Sequence, residues 1–160
     1  MIILIKRLFL ISFLILTISS SSSYSRQFID KDHLVIDLLS GIEWMKCVAG
    51  QQWNGVSCSG EIIRLNREQI KIAIQQANEQ LGGSWRLPTK QELEGILCNS
   101  CDYVKIDSNF FPETPPEPFW TSEENYWSGK RYWSVNFYTG HSFSRFTKDK
   151  PLATRFVRNR

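Results

Sequence analysis

From residue 66 onward the apolar positions recur at helical spacing. Ile70, Ala73, Ile74, Ala77 and Leu81 fall on one side, with Arg67, Lys71, Gln75, Gln76 and Glu79 on the other. Asn66 and Gln69 stand three apart where a capping pair belongs, and Gly82-Gly83 supplies a left-handed stop, so a helix is predicted between them. Trp85-Arg86-Leu87 then reads as extended chain. Pro88 ends it because it has no backbone donor, and Thr89 with Glu92 makes the capping box of a second helix, predicted over Lys90 to Leu97.

Upstream, His33 to Leu39 and Ile42 to Met45 are short apolar-rich runs around Ser40-Gly41, with Asp37 inside the first; this pattern predicts a β-hairpin. Cys47 to Gly60, rich in Gly, Gln, Asn and Ser, reads as a loop whose Trp53 is expected to pack inward. Downstream, Pro112, Pro115, Pro116 and Pro118 exclude a helix or a central strand from Asn109 to Pro118. Beyond them Phe119 to Ser122, Tyr132 to Phe137, His141 to Phe146 and Thr154 to Arg158 are strand-like, with Tyr138-Thr139-Gly140 as a turn. The predicted class is α+β, two helices packed on short antiparallel strands.

The first 25 residues differ from the rest. Lys6 and Arg7 precede an apolar run from Leu8 to Ile18, a serine stretch follows, and Ser23-Tyr24-Ser25 offers small residues at cleavage spacing. The run is short for a bilayer span, so residues 1–25 read as a removable secretory signal, with an uncleaved anchor as the alternative. Residues 26–160 are then the size of one domain. Export, to the periplasm or the cell surface and beyond, places Cys47, Cys58, Cys98 and Cys101 in an oxidising compartment. Of the three possible pairings, closeness in sequence favours Cys47–Cys58 and Cys98–Cys101.

The net charge of +3 conceals a polarity. Residues 128–160 hold eight basic side chains against Asp149 alone, whereas residues 26–127 hold nine basic and fifteen acidic ones.

An ordered set of motifs spans nearly all of the chain after the leader. It comprises Gly41-Ile42-Glu43-Trp44-Met45-Lys46-Cys47, Gln52-Trp53-Asn54-Gly55 with Cys58, Trp85-Arg86-Leu87-Pro88-Thr89, Phe119-Trp120-Thr121-Ser122, Trp133-Ser134-Val135-Asn136-Phe137 with Gly140, and Arg155-Phe156-Val157-Arg158. In this set the chain resembles the Lcl C-terminal domain family, a bacterial group named for a collagen-like adhesin. The resemblance implies a fold similar to C-type lectin-like domains and to the sulfatase-modifying-factor fold. It also implies export, and recognition of sulfated polysaccharide of the kind associated with the namesake. This chain has no Gly-X-Y repeat, and therefore lacks the stalk that multimerises the namesake.

Arg145, Lys148, Lys150 and Arg158 are the candidate ligand-binding cations, since alternating strand positions can present one positive face to sulfate or carboxylate groups. The competing reading is that they neutralise Glu92, Glu94, Glu123 or Glu124 as ordinary surface ion pairs. Most tryptophans, Trp85, Trp120 and Trp133 among them, are expected in the core. Trp127, beside Asn125, Tyr126 and Ser128, is the expected exposed one and a candidate stacking platform for sugar.

Other chemistries are less well served. Cys98-Asn99-Ser100-Cys101 has dithiol spacing but follows a helix, whereas reactive pairs usually sit at a helix N-terminus, so a structural bridge is favoured over a redox role. His33 and His141 lack metal-ligand spacing, and Glu117-Pro118-Phe119 loses the third ligand of the calcium triplet used by true C-type lectins. No nucleophile elbow, phosphate loop or metalloprotease motif is present. The sequence therefore predicts an exported, non-enzymatic binding module without metal or cofactor. Its expected partner is an anionic polysaccharide or surface glycan, with neither nucleic acid nor stable membrane insertion after cleavage. The alternative is a self-associating envelope protein, a homo-oligomer held by opposite charge.

Overall fold

The computed structural model describes residues 27–160; the expected leader, residues 1–25, lies outside the described residues. The chain runs through β1 (Phe28–Lys31), β2 (Leu34–Asp37), β3 (Ile42–Met45), β4 (Gln52–Trp53) and β5 (Cys58–Ser59) before α1 (Arg67–Leu81) and α2 (Lys90–Gly95). After the proline-rich loop come β6 (Pro118–Glu124), β7 (Arg131–Asn136), β8 (His141–Thr147) and β9 (Val157–Asn159). Paired strands are antiparallel throughout, in sheets ordered β1-β2-β3-β9, β4-β5 and β6-β7-β8.

Local chemistry sets the boundaries. Asp37, fully buried, accepts from the backbone N–H groups of Leu39 at 3.0 Å and Ser40 at 3.2 Å, which explains an acid inside an apolar run: it closes the turn into β3. Asn66 and Gln69 cap α1 reciprocally, and Thr89 and Glu92 do the same for α2. The second helix stops at Gly95, short of the expected Leu97, because Leu97 leaves to bridge Ile106. Pro118 opens β6, the position in a strand where a missing N–H is tolerated.

The last strand returns to the first sheet, where Trp44 pairs with Val157 and Glu43 with Arg158. It is shorter and later than the expected Thr154 to Arg158. Leu152 and Ala153 instead form single bridges to Leu65 and Phe119, tying this segment to the helical half and to β6. One core cluster joins Val35, Trp44, Leu93, Phe111, Phe119 and Val157, and a second joins Ile70, Trp85, Leu87, Trp120 and Phe156. Two tryptophans depart from expectation. Trp133 is half-buried with the Lys90 ammonium 5.0 Å from its ring, and Trp53 is half-buried beneath the Lys46 ammonium at 3.9 Å.

The cysteines form Cys47–Cys58, which closes the segment carrying β4 and β5, and Cys98–Cys101, a tight bridge beyond α2. Among the described residues no helix is long and apolar enough to cross a membrane.

Candidate functional site

The three-stranded sheet brings the candidate residues to one end. The turn between β6 and β7 is Asn125-Tyr126-Trp127-Ser128-Gly129-Lys130, and Trp127 is 98% and Tyr126 97% exposed. Hydrogen bonds set the turn's shape. Asn125 accepts from the Trp127 N–H at 3.0 Å through its side chain, and the Lys130 N–H, in the left-handed region at φ 69°, donates to Glu124 Oε1 at 3.1 Å. Asn125 Nδ2 also donates to Ser144 Oγ at 2.7 Å, which fastens the turn beside Arg145.

Because β7 and β8 are antiparallel, the end of β8 lies next to the start of β7, with Thr147 opposite Arg131. The Arg131 guanidinium donates to the Arg145 carbonyl at 2.9 Å. Arg145 lies over the rings of Phe143 at 4.6 Å and Phe146 at 5.3 Å, so its charge is displayed on an aromatic support. Lys148 and Lys150 follow in the exposed turn after β8, and Lys150 borders a cavity of about 260 Å³ with Arg64, Phe146 and Leu152. Behind the sheet, Arg67 packs 4.2 Å from the Tyr132 ring and donates to the carbonyls of Thr121 and Ser122. Burial lowers its pKa below the ordinary arginine value, against the pull of Tyr132 and Glu124.

Arg145, Lys148 and Lys150 make no ion pair among the described residues. None of the acids that were to neutralise them pairs with them. Glu92 pairs with Arg86 at 2.7 Å and Glu94 with Lys90 at 3.1 Å, while Glu123 accepts from the Lys90 backbone N–H and Glu124 from that of Lys130.

Arg158 stands apart. It lies on β9, in a different sheet, bonded to Glu43 at 2.7 Å and 4.7 Å from the Trp85 ring. Burial opposes ionisation of Glu43, but hydrogen bonds from Arg158 and Lys31 outweigh it and hold the carboxyl below its ordinary 4.5. The cavity bordered by Arg158 also contains Arg86, Asn159 and Arg160, and none of Arg145, Lys148 and Lys150. The four cations therefore do not share one strand face: three gather at the sheet end and the fourth is a structural pair.

Lys130 and Arg131 join the sheet-end group, although alternation along strands did not single them out. Their signal was position, flanking the turn that displays Trp127. Arg155, counted in the basic tail, is only 1% exposed and holds the interior together.

Neither the curated proteins nor the solved structures contain a match to this chain. A family model, described as the Lcl C-terminal domain, matches residues 33–158. That span runs from the turn before β2 into β9 and encloses both disulfides, both helices and the whole β6-β7-β8 sheet; the chain belongs to the Lcl C-terminal domain family.

Proposed function

We propose that this protein is an exported, non-enzymatic binding module that engages sulfated or carboxylated polysaccharide through the basic end of the β6-β7-β8 sheet. The observation that carries this reading is the set of exposed cations Arg145, Lys148 and Lys150, none of which forms an ion pair among the described residues, gathered with Lys130 and Arg131 at an end where Asp149 and Glu124 are the acids in the same turns. Exposed cations without an ion-pair partner retain their field for a polyanion and can meet it while staying largely hydrated. Arg145 supplies a planar fork suited to a sulfate or carboxylate, the lysines supply point charges, and Trp127 offers a flat apolar face to a sugar ring. A C-type lectin-like reading of the fold, in which turns at a sheet end would meet ligand, accords with this use. Two disulfides and the apolar leader support an oxidising destination outside the cytoplasm.

The test is retention on immobilised heparin. Wild-type protein is expected to bind at low salt and elute as salt rises. The R145A/K148A/K150A variant is expected to bind about tenfold more weakly or worse, as three exposed charge contacts imply. Elution of the triple variant at the wild-type position defeats the proposal. If sizing at low and high salt then reveals a salt-sensitive oligomer, self-association through the polarised charge takes its place.

A further inference from the structure

A groove of about 590 Å³ opens between α1 and the segment closed by Cys47–Cys58, and it shares no lining residue with the basic sheet end. Its volume lies in the range typical of small-molecule sites, about 300–1,000 Å³. Met45, Ala49, Ala73, Ala77 and Phe156 contribute an apolar lining, and Trp53 forms part of the wall.

The Trp53 indole is fixed from two directions. Its Nε1 donates to Asp32 Oδ1 at 2.9 Å, and the Lys46 ammonium sits 3.9 Å from the ring centre. Lys46 is itself 1% exposed and bonded to Asp30 at 2.6 Å, so the cation that holds the ring is locked in place. The loop wall is equally constrained. Gly50 adopts φ +95°, and a Cβ there would meet the Glu61 carbonyl oxygen at 2.3 Å and the Ile63 nitrogen at 2.6 Å. The wall is therefore built before any ligand arrives.

Three exposed carboxamides in the groove have no protein partner. Among the described residues the carboxamides of Gln52, Gln76 and Gln80 line it without a hydrogen bond to protein, whereas Gln51 is occupied by the Val48 N–H. Each free carboxamide offers both donors and an acceptor. Asp32 adds a carboxylate that the His33 ring and the Trp53 N–H hold below its ordinary pKa, and neither Lys nor Arg lines the groove. An anionic ligand would meet the Asp32 carboxylate with only the His33 ring beside it and no Lys or Arg in the lining, and a purely apolar one would make no use of the exposed carboxamides. An uncharged pyranoside suits both halves, with hydroxyls for the carboxamides and Asp32 and a C–H face for the indole and apolar lining.

We infer that this groove is a second binding site, for an uncharged saccharide, independent of the basic sheet end. The test uses the R145A/K148A/K150A chain, so that polyanion binding does not interfere, on an array of neutral hexose and N-acetylhexosamine oligosaccharides. At least one is expected to bind and, on titration, to change the tryptophan fluorescence. Adding Q76A/Q80A, two exposed helix positions where alanine favours the helix, is expected to weaken that glycan about tenfold. Absence of binding by every uncharged oligosaccharide overturns the inference, as does binding that Q76A/Q80A leaves unchanged.

Discussion

Among the described residues two cations, Lys46 and Arg155, are almost wholly buried, and each organises what surrounds it. Arg155 reaches the Met45 carbonyl at 2.9 Å, the Lys46 carbonyl and the Thr114 hydroxyl at 2.7 Å, with its guanidinium 4.9 Å from the Phe111 ring. Burial lowers its pKa to about 9, which leaves it charged at neutral pH. Its role is to satisfy the end of β3 and the proline-rich loop, so replacing it with Met strands those acceptors. Arg155→Met is expected to cost about 3 kcal/mol in chemical denaturation.

At the same scale, Glu43 and Glu92 both titrate below their ordinary value of 4.5, because arginine partners outweigh burial. Acids depressed on folding add stability above the unfolded pKa and lose it as pH falls through the folded one. The melting temperature is therefore expected to drop below about pH 4.5 for this reason, and Glu92→Gln to flatten part of that acid limb in a pH series of melts. Neither role was legible in the chain. Arg155 read as one more member of a basic tail and Arg158 as a ligand-binding candidate, because the Arg158 partner lies 115 residues away and the Arg155 partners 110, 109 and 41. Charge counting along a sequence cannot register distant partners.

At the scale of elements, what proved legible was what neighbours in sequence decide. The capping boxes of α1 and α2 were visible because each needs residues three apart, and the β7–β8 hairpin because its turn is local. Thr89→Ala is expected to destabilise the protein by about 1 kcal/mol, measured by denaturant midpoint, since it frees the Glu92 N–H. Opening Cys47–Cys58 by a double change to serine is expected to cost about 2–4 kcal/mol and to loosen the groove wall, seen as faster amide exchange from Cys47 to Ser59. What local reading missed depends on distant partners. Phe28–Lys31 becomes a strand only by pairing with β2, and Gln52–Trp53 is ordered by a two-residue pairing inside what reads as loop. Trp53 was expected inward because tryptophan usually is. Lys46 and Asp32 hold it half-exposed instead, and only the fold brings them together.

At the scale of the whole molecule, the polarised charge resolves into distinct uses. Arg158 is consumed by Glu43, Arg155 supports the interior, and Arg145, Lys148 and Lys150 remain exposed with Lys130 and Arg131 beside an aromatic turn. Charge counting drew attention to the last third of the chain but could not sort these residues, since exposure and pairing belong to the folded state. On the proposed function, polyanion binding resides at this sheet end and excludes β9. The most direct measurement is an amide chemical-shift titration with a heparin-derived oligosaccharide. Binding at the sheet end is expected to confine the shifts to Tyr126–Arg131 and Arg145–Lys150, with Glu43 and Arg158 unmoved. Shifts centred on Glu43, Arg86 and Arg158, or none at saturating ligand, would contradict it.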